Sequence, residues 1–123
     1  MNNIKPKILA VDDSPSILTA INAILKENYE VFTLPKPEKV EALLHKITPD
    51  LFILDCMMPV LSGFDLIPVI RSFEEHAETP IIFLSSVAMS NTAVIKNAGV
   101  SDFLSKPIDE KLLRNIVAKY ISM

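Results

Sequence analysis

With 123 residues, half of them apolar and 22% charged, the chain is long enough for one compact domain with a real core and too short for two. Its net charge of −3, from twelve basic and fifteen acidic residues, argues against a nucleic-acid-binding surface, and no basic run contradicts that. The single cysteine, Cys56, excludes an internal disulfide, and no apolar run approaches the length of a membrane span.

Residues 1–7 are polar and lead into no signal-peptide core, so a cytoplasmic protein is expected, with Cys56 a small buried residue in a reducing compartment. Residues 7–11, Lys-Ile-Leu-Ala-Val, predict a short strand too apolar to have a wet face. Ser14-Pro15 supplies a helix cap and a first-turn proline, and Ile17, Ala20, Ile21, Ile24 and Leu25 then recur at helical spacing. Residues 30–34 predict a second strand, stopped by Pro35 and Pro37. A helix carrying Val40, Leu43, Leu44 and Ile47 follows and ends at Thr48-Pro49. Leu51 to Leu54 is a third, wholly apolar strand.

Residues 63–75 predict a third helix with Phe64, Ile67, Ile70 and Phe73 on one face. Pro68 lies past its first turn and removes a ladder bond, so a kink or a late helix start is expected. Residues 81–84 predict a fourth strand, and residues 90–98 a weaker helix ended by Gly99. Residues 102–104 predict a fifth strand, and Asp109 caps a last helix bearing Leu112, Leu113, Ile116, Val117 and Tyr120. Apolar strands alternating with amphipathic helices imply a parallel sheet covered on both faces. Right-handed crossovers then favour a doubly wound, flavodoxin-like α/β fold of (βα)5 type, strand order 2-1-3-4-5.

In such folds the ligand crevice lies beyond the carboxyl ends of the strands. There the first strand ends in Asp12-Asp13, the third in Asp55, the fourth in Ser85-Ser86 and the fifth in Ser105-Lys106-Pro107. Three crowded carboxylates repel one another, and a hard divalent cation such as Mg²⁺ removes the conflict. A lysine adds a point charge suited to phosphate, and a serine hydroxyl can donate to a phosphoryl oxygen. The set fits phosphoryl transfer, in which a carboxylate can itself be the nucleophile. Each part alone has a plain alternative. Asp-Asp-Ser-Pro also makes a turn and cap, Asp55 a turn residue, and Lys106 a solvated surface lysine. The coincidence of four strand ends is the signal.

At this point the chain resembles the receiver domains of two-component response regulators over essentially its whole length, as a single receiver similar to the chemotaxis regulators. The matching stretches are Ile-Leu-Ala-Val-Asp-Asp-Ser at 8–14, Asp-Leu-Phe-Ile-Leu-Asp-Cys-Met-Met-Pro-Val-Leu-Ser-Gly at 50–63, Pro-Ile-Ile-Phe-Leu-Ser-Ser at 80–86 and Gly-Val-Ser-Asp-Phe-Leu-Ser-Lys-Pro-Ile at 99–108. The resemblance implies that Asp55 is the phosphoacceptor. It implies Mg²⁺ bound by Asp13, Asp55 and the backbone carbonyl of Met57, with Asp12 acting largely through a bound water. Lys106 would pair with the phosphoryl group, and Lys106-Pro107 would be a cis bond. Ser85 and Phe103 would form the switch pair, and Gly63 would open the third helix. The donor would be a sensor histidine kinase or a histidine phosphotransfer protein. Output to a downstream effector would run through helix four, strand five and helix five. The implied role is that of a bacterial regulatory phosphoacceptor that assists its own phosphotransfer and dephosphorylation, without direct nucleic-acid or membrane contact.

Some positions depart from the commonest pattern of the family. Ser86 follows the switch hydroxyl where a smaller residue is frequent. Met57 and Val87 flank the site with apolar side chains, which would hinder an attacking water and slow loss of phosphate. His45 and His76 do not share metal-ligand spacing and read as solvated surface. Met57, Met58 and Met89 read as packing fillers, Met89 alternatively as part of a partner surface, and Asp102 and Arg114 as an ion pair across the last helix, within the molecule or in a dimer. Other functions meet obstacles. A haloacid-dehalogenase-like phosphatase wants a second aspartate two residues after its nucleophile at the end of the first strand, whereas Asp12-Asp13 are consecutive. A dinucleotide or flavin binder wants a glycine-rich turn, and only Gly63 and Gly99 exist. A receiver part of a longer protein, cut after helix five, remains the alternative within the family.

Overall fold

The computed structural model describes residues 4–86 and 98–121. Five strands form one parallel sheet: β1 (Lys7–Val11), β2 (Glu30–Leu34), β3 (Leu51–Asp55), β4 (Ile81–Ser85) and β5 (Asp102–Ser105). Their order is β2-β1-β3-β4-β5, as the sequence pattern predicts. The α-helices described are α1 (Pro15–Leu25), α2 (Val40–Leu44), α3 (Gly63–Arg71) and the C-terminal helix (Glu110–Tyr120). The helix expected over 90–98 falls outside the described residues.

Strand side chains alternate between the two faces, so one apolar run fills two cores. Ile8, Ala10, Leu51, Ile53, Ile82, Leu84 and Leu104 face α1 and the C-terminal helix. Leu9, Val11, Phe52, Leu54, Ile81 and Phe83 pack with Val40 and Leu44 of α2 and Leu66 and Ile70 of α3. This double burial explains why the inner strands lack a polar face.

Several local expectations are corrected. The second helical segment is a 3₁₀ turn over Pro37–Lys39 followed by only five α-helical residues, with Ile47 beyond its end. Pro68 neither delays nor ends α3, which starts at Gly63 under a reciprocal Ser62/Asp65 capping box. The helix stops at Arg71 rather than 75, and a separate 3₁₀ turn spans Glu74–His76. Ser14 occupies the N-cap of α1 without a side-chain capping bond; its hydroxyl meets that of Ser16 instead. Asp109 does cap the C-terminal helix, accepting from the Leu112 N–H at 3.0 Å. Leu112 itself points to solvent, leaving Leu113 and Val117 to make the buried stripe.

Candidate functional site

The sheet register assembles the site. Val11 pairs with Leu54, so the next residues, Asp12 and Asp55, emerge side by side from β1 and β3. Ser85 pairs with Ser105 across β4 and β5, and the Lys106 N–H donates to the Ser85 carbonyl at 2.7 Å. That bond sets Lys106 at the same rim. Carboxylate oxygens of Asp12, Asp13 and Asp55 all lie within 4.8 Å of one another.

Lys106 stands against two of these acids. Its Nζ donates to Asp55 Oδ2 at 3.1 Å and lies 3.0 Å from Asp12 Oδ2. The second contact is an ion pair without hydrogen-bond geometry, so Asp12 Oδ2 is buried with no hydrogen-bond partner among the described residues. Asp12 Oδ1 accepts from the Ser14 N–H at 2.9 Å, and Asp55 Oδ1 from the Met57 N–H at 3.2 Å. Asp12 is fully buried, Asp55 only 5% exposed, and Asp13 open to solvent.

Burial pushes the Asp12 carboxyl above the ordinary carboxylate value; the Ser14 N–H and Lys106 oppose this, and neighbouring Asp55 adds to it. Burial works to lower the Lys106 ammonium, but the adjoining carboxylates of Asp12 and Asp55 outweigh it, and the net shift is upward. The lysine is thus firmly held as a cation between acids that lack enough counter-charge. An orphaned buried oxygen within a cluster of hard oxygen donors fits a small divalent cation, and Mg²⁺ takes such ligands together with waters.

The other candidate residues surround this centre. Ser85 is buried at the end of β4, and Ser86 beside it is exposed. Phe103 pairs with Phe83 in the sheet and is half-buried against the core shared with α3. The Lys106–Pro107 peptide bond is cis. Met57 is 57% exposed, whereas Met58 is packed into the core and Cys56 is buried. Val87 and Met89 lie outside the described residues.

Gly63 proves closer to the chemistry than sequence spacing implies. A Cβ there would meet the Asp55 carbonyl oxygen at 2.6 Å and Cys56 Cα at 2.9 Å, so α3 starts directly against the backbone that carries Asp55. Val60, in the loop between, has φ of 72° and is 81% exposed, a strained conformation for a β-branched residue that no sequence signal announced. Away from the rim, two readings are corrected. His76 is buried rather than solvated. Arg114 pairs with Glu110 at 2.8 Å, while Asp102 meets Tyr120 and Lys119, so no Asp102–Arg114 pair forms within the molecule.

Comparison with known proteins bears on this arrangement. Residues 8–118 match the response regulator receiver domain family. The chain is 36% identical over 120 residues to the sensor histidine kinase TmoS of Ectopseudomonas mendocina, covering 97% of this chain and 12% of that protein. It is 35% identical over 115 residues to hybrid signal transduction histidine kinase D of Dictyostelium discoideum, covering 92% and 7%. The chain therefore spans only about an eighth or less of the length of these two relatives. Among solved structures, the chemotaxis protein CheY4 of Vibrio cholerae superposes with a TM-score of 0.87 at 30% identity, over 95% of this chain and 99% of that one. The receiver domain of a Pseudomonas aeruginosa sensor histidine kinase gives 0.85 at 29% identity, over 97% and 99%, and holds a magnesium ion in its active-site cleft. A sheet of this order with three acids and a lysine at one rim, matched along nearly its full length, makes the chain a member of the response regulator receiver domain family of two-component signalling.

Proposed function

We propose that this receiver domain is a phosphorylation-dependent switch in which Asp55 accepts a phosphoryl group from a phosphohistidine. The donor is a sensor histidine kinase or a histidine phosphotransfer protein. One observation carries the reading: Lys106 Nζ sits 3.1 Å from Asp55 Oδ2, inside a cluster of three carboxylates. An Asp55 oxygen attacks phosphorus in line, the phosphorus–nitrogen bond breaks as the phosphorus–oxygen bond forms, and the imidazole leaves. Among the described residues each Asp55 oxygen holds one hydrogen bond, which leaves each a lone pair for attack.

Asp12, Asp13, Asp55 and the backbone carbonyl of Met57 would hold Mg²⁺, which when bound neutralises charge on the transferring group. Lys106 follows the phosphoryl oxygens as a fixed cation. Ser85 supplies a hydroxyl to one of them, and Phe103 fills the space that Ser85 leaves. The added charge biases a two-state surface on which the helix expected over 90–98, β5 and the C-terminal helix meet an effector.

A second reading is favoured by the two histidine kinases named above, of which the chain covers 12% and 7%: the domain works as the receiver of a hybrid kinase or larger regulator. The acceptor chemistry is the same in both.

The test is incubation with acetyl phosphate and Mg²⁺, followed by mass spectrometry of the intact chain and its peptides. One phosphoryl group on the peptide containing Asp55, absent in Asp55→Asn and absent with a chelator, is the expected result. Equal labelling of Asp55→Asn would remove Asp55 as acceptor.

A further inference from the structure

His76 lies far from the acceptor rim, next to the N-terminal ends of β3 and β4. It is 1% exposed and its ring packs edge-on to Phe52, with centroids 5.0 Å apart. Nδ1 is 2.8 Å from Thr79 Oγ1, and Nε2 is buried with no hydrogen-bond partner among the described residues. The Thr79 hydroxyl also donates a hydrogen bond to the Glu75 carbonyl at 3.4 Å. The hydroxyl oxygen then accepts from Nδ1–H, and Nε2 carries a bare lone pair. Adding a proton to Nε2 would place an N–H and a charge where no described residue accepts them.

The backbone around the ring is tied by one side chain. Arg71 Nη1 donates to the His76 carbonyl at 2.9 Å and to the Thr79 carbonyl at 2.7 Å. Arg71 Nη2 donates to the Gly99 carbonyl at 3.3 Å. One guanidinium therefore links the end of α3, the turn bearing His76 and the entry to β5. Exposing the ring requires residues 73–79 to lift, which removes two of the three acceptors of Arg71.

We propose that His76 is an acid-sensitive latch: protonation of its buried ring releases the 73–79 segment and with it the Arg71 tie to Gly99. The charged groups around the ring are Glu75 on its own turn, Arg71 on α3 and Asp50 ahead of β3, with Glu78 facing Arg71. Exposed His45 lies on the far side of Phe73. Burial is the largest influence and holds the ring's affinity for a proton below that of a free imidazole. Glu75 and Asp50 oppose this, and Arg71 reinforces it. The sign follows. The opened segment binds a proton below about pH 6.5, the free imidazole value, while the closed one does not. Closing is therefore favoured above that pH and weakens as pH falls below it. The effect continues until the lowered ring value is reached. Acceptor chemistry at Asp55 is not involved.

The experiment is amide hydrogen exchange on the intact domain between pH 7.5 and 5, with the His76 ring followed by NMR over the same range. The amides of Phe73, His76, Ala77 and Ser101 are bonded within or beside the latch. Their protection factors are expected to fall up to about tenfold per pH unit below about 6.5, while β1 and β3 amides keep theirs. His76→Gln is expected to flatten this dependence. Wild-type protein suffices if that variant does not fold. A ring titrating at or above the free-imidazole value, or unchanged protection at Phe73, His76 and Ala77 through the range, would overturn the proposal.

Discussion

Lys106 Nζ donates to Asp55 Oδ2 at 3.1 Å from the opposite side of β4, so the ammonium occupies the space beside the acid most central to the site. The same nitrogen is 3.0 Å from fully buried Asp12, which has no other cation near it among the described residues. One side chain thus balances two acids of the cluster.

Replacing that cation separates its effect from that of a metal. Lys106→Met is expected to lower thermal stability in chelator at neutral pH, because Asp12 and Asp55 lose their shared counter-ion. Saturating Mg²⁺ should then raise the melting temperature more in the variant than in the wild type, since binding to the native state stabilises it. Thermal melts with and without Mg²⁺ check both signs, and an equal Mg²⁺ shift in the two proteins would sink the shared counter-ion account.

Gly63→Ala tests the contact between α3 and the acceptor strand. The new methyl would lie 2.6 Å from the Asp55 carbonyl oxygen and 2.9 Å from Cys56 Cα, both backbone atoms that cannot swing aside. Overpacking of this kind costs about 1–3 kcal/mol. Because the displaced backbone carries Asp55, phosphorylation by acetyl phosphate should slow as well. Urea unfolding and the labelling rate measure the two effects. A stability change without a rate change would show that the loop, and not Asp55, gives way.

Much of this was legible in the sequence, and the reasons are specific. The strands are apolar on both faces, so runs such as Leu51 to Leu54 stand out and the sheet order follows from connection rules. Once β1 and β3 are neighbours, Asp12 and Asp55 must adjoin. His76 was misread because its burial depends on Thr79, Arg71 and Phe52, partners brought together by the fold and not by periodicity. The early end of α3 has the same origin: Arg71 caps distant carbonyls at 76, 79 and 99 that no local motif announces. The φ of Val60 is likewise imposed by closing the short loop between Asp55 and Gly63.

Val60 is a place where the fold carries strain that a substitution can relieve. A non-glycine residue in the left-handed region costs roughly 1–2 kcal/mol, while glycine adds about 0.5–1 kcal/mol of lost chain entropy on folding. The exposed side chain offers little burial in return. Val60→Gly is therefore expected to stabilise by about 0.5–1 kcal/mol net, read as a higher denaturant midpoint at an unchanged slope. A lower midpoint would mean that the valine side chain makes a contact worth more than its strain.

Met57 bears on how long a phosphoryl group would persist. Its N–H is fixed on Asp55 Oδ1 at 3.2 Å, yet its thioether side chain is mostly exposed beside the acid. A thioether cannot orient water, whereas a carboxamide can donate and accept. Met57→Asn is expected to accelerate loss of phosphate several-fold, followed as phosphate release after removal of the donor. Val87→Glu is a companion test of the same idea. Unchanged rates in both would defeat it.

The C-terminal helix is tied to the sheet by Tyr120, whose hydroxyl lies 2.8 Å from the Ser101 carbonyl and 3.1 Å from Asp102 Oδ2. Lys119 Nζ adds a contact at 3.6 Å to the same carboxylate oxygen. A hydroxyl has one proton, so it serves one acceptor at a time and the two partners share it. Tyr120→Phe is expected to destabilise by about 1 kcal/mol, because it removes that bond while keeping the ring in the core shared with α1. Labelling of Asp55 should be unaffected, since the tie lies at the start of β5 and the acceptor rim at its end. If the carboxylate is the main acceptor, Asp102→Ala should cost less in the Tyr120→Phe background than in the wild type. Strictly additive losses in that double-mutant cycle would assign the bond to the Ser101 carbonyl instead.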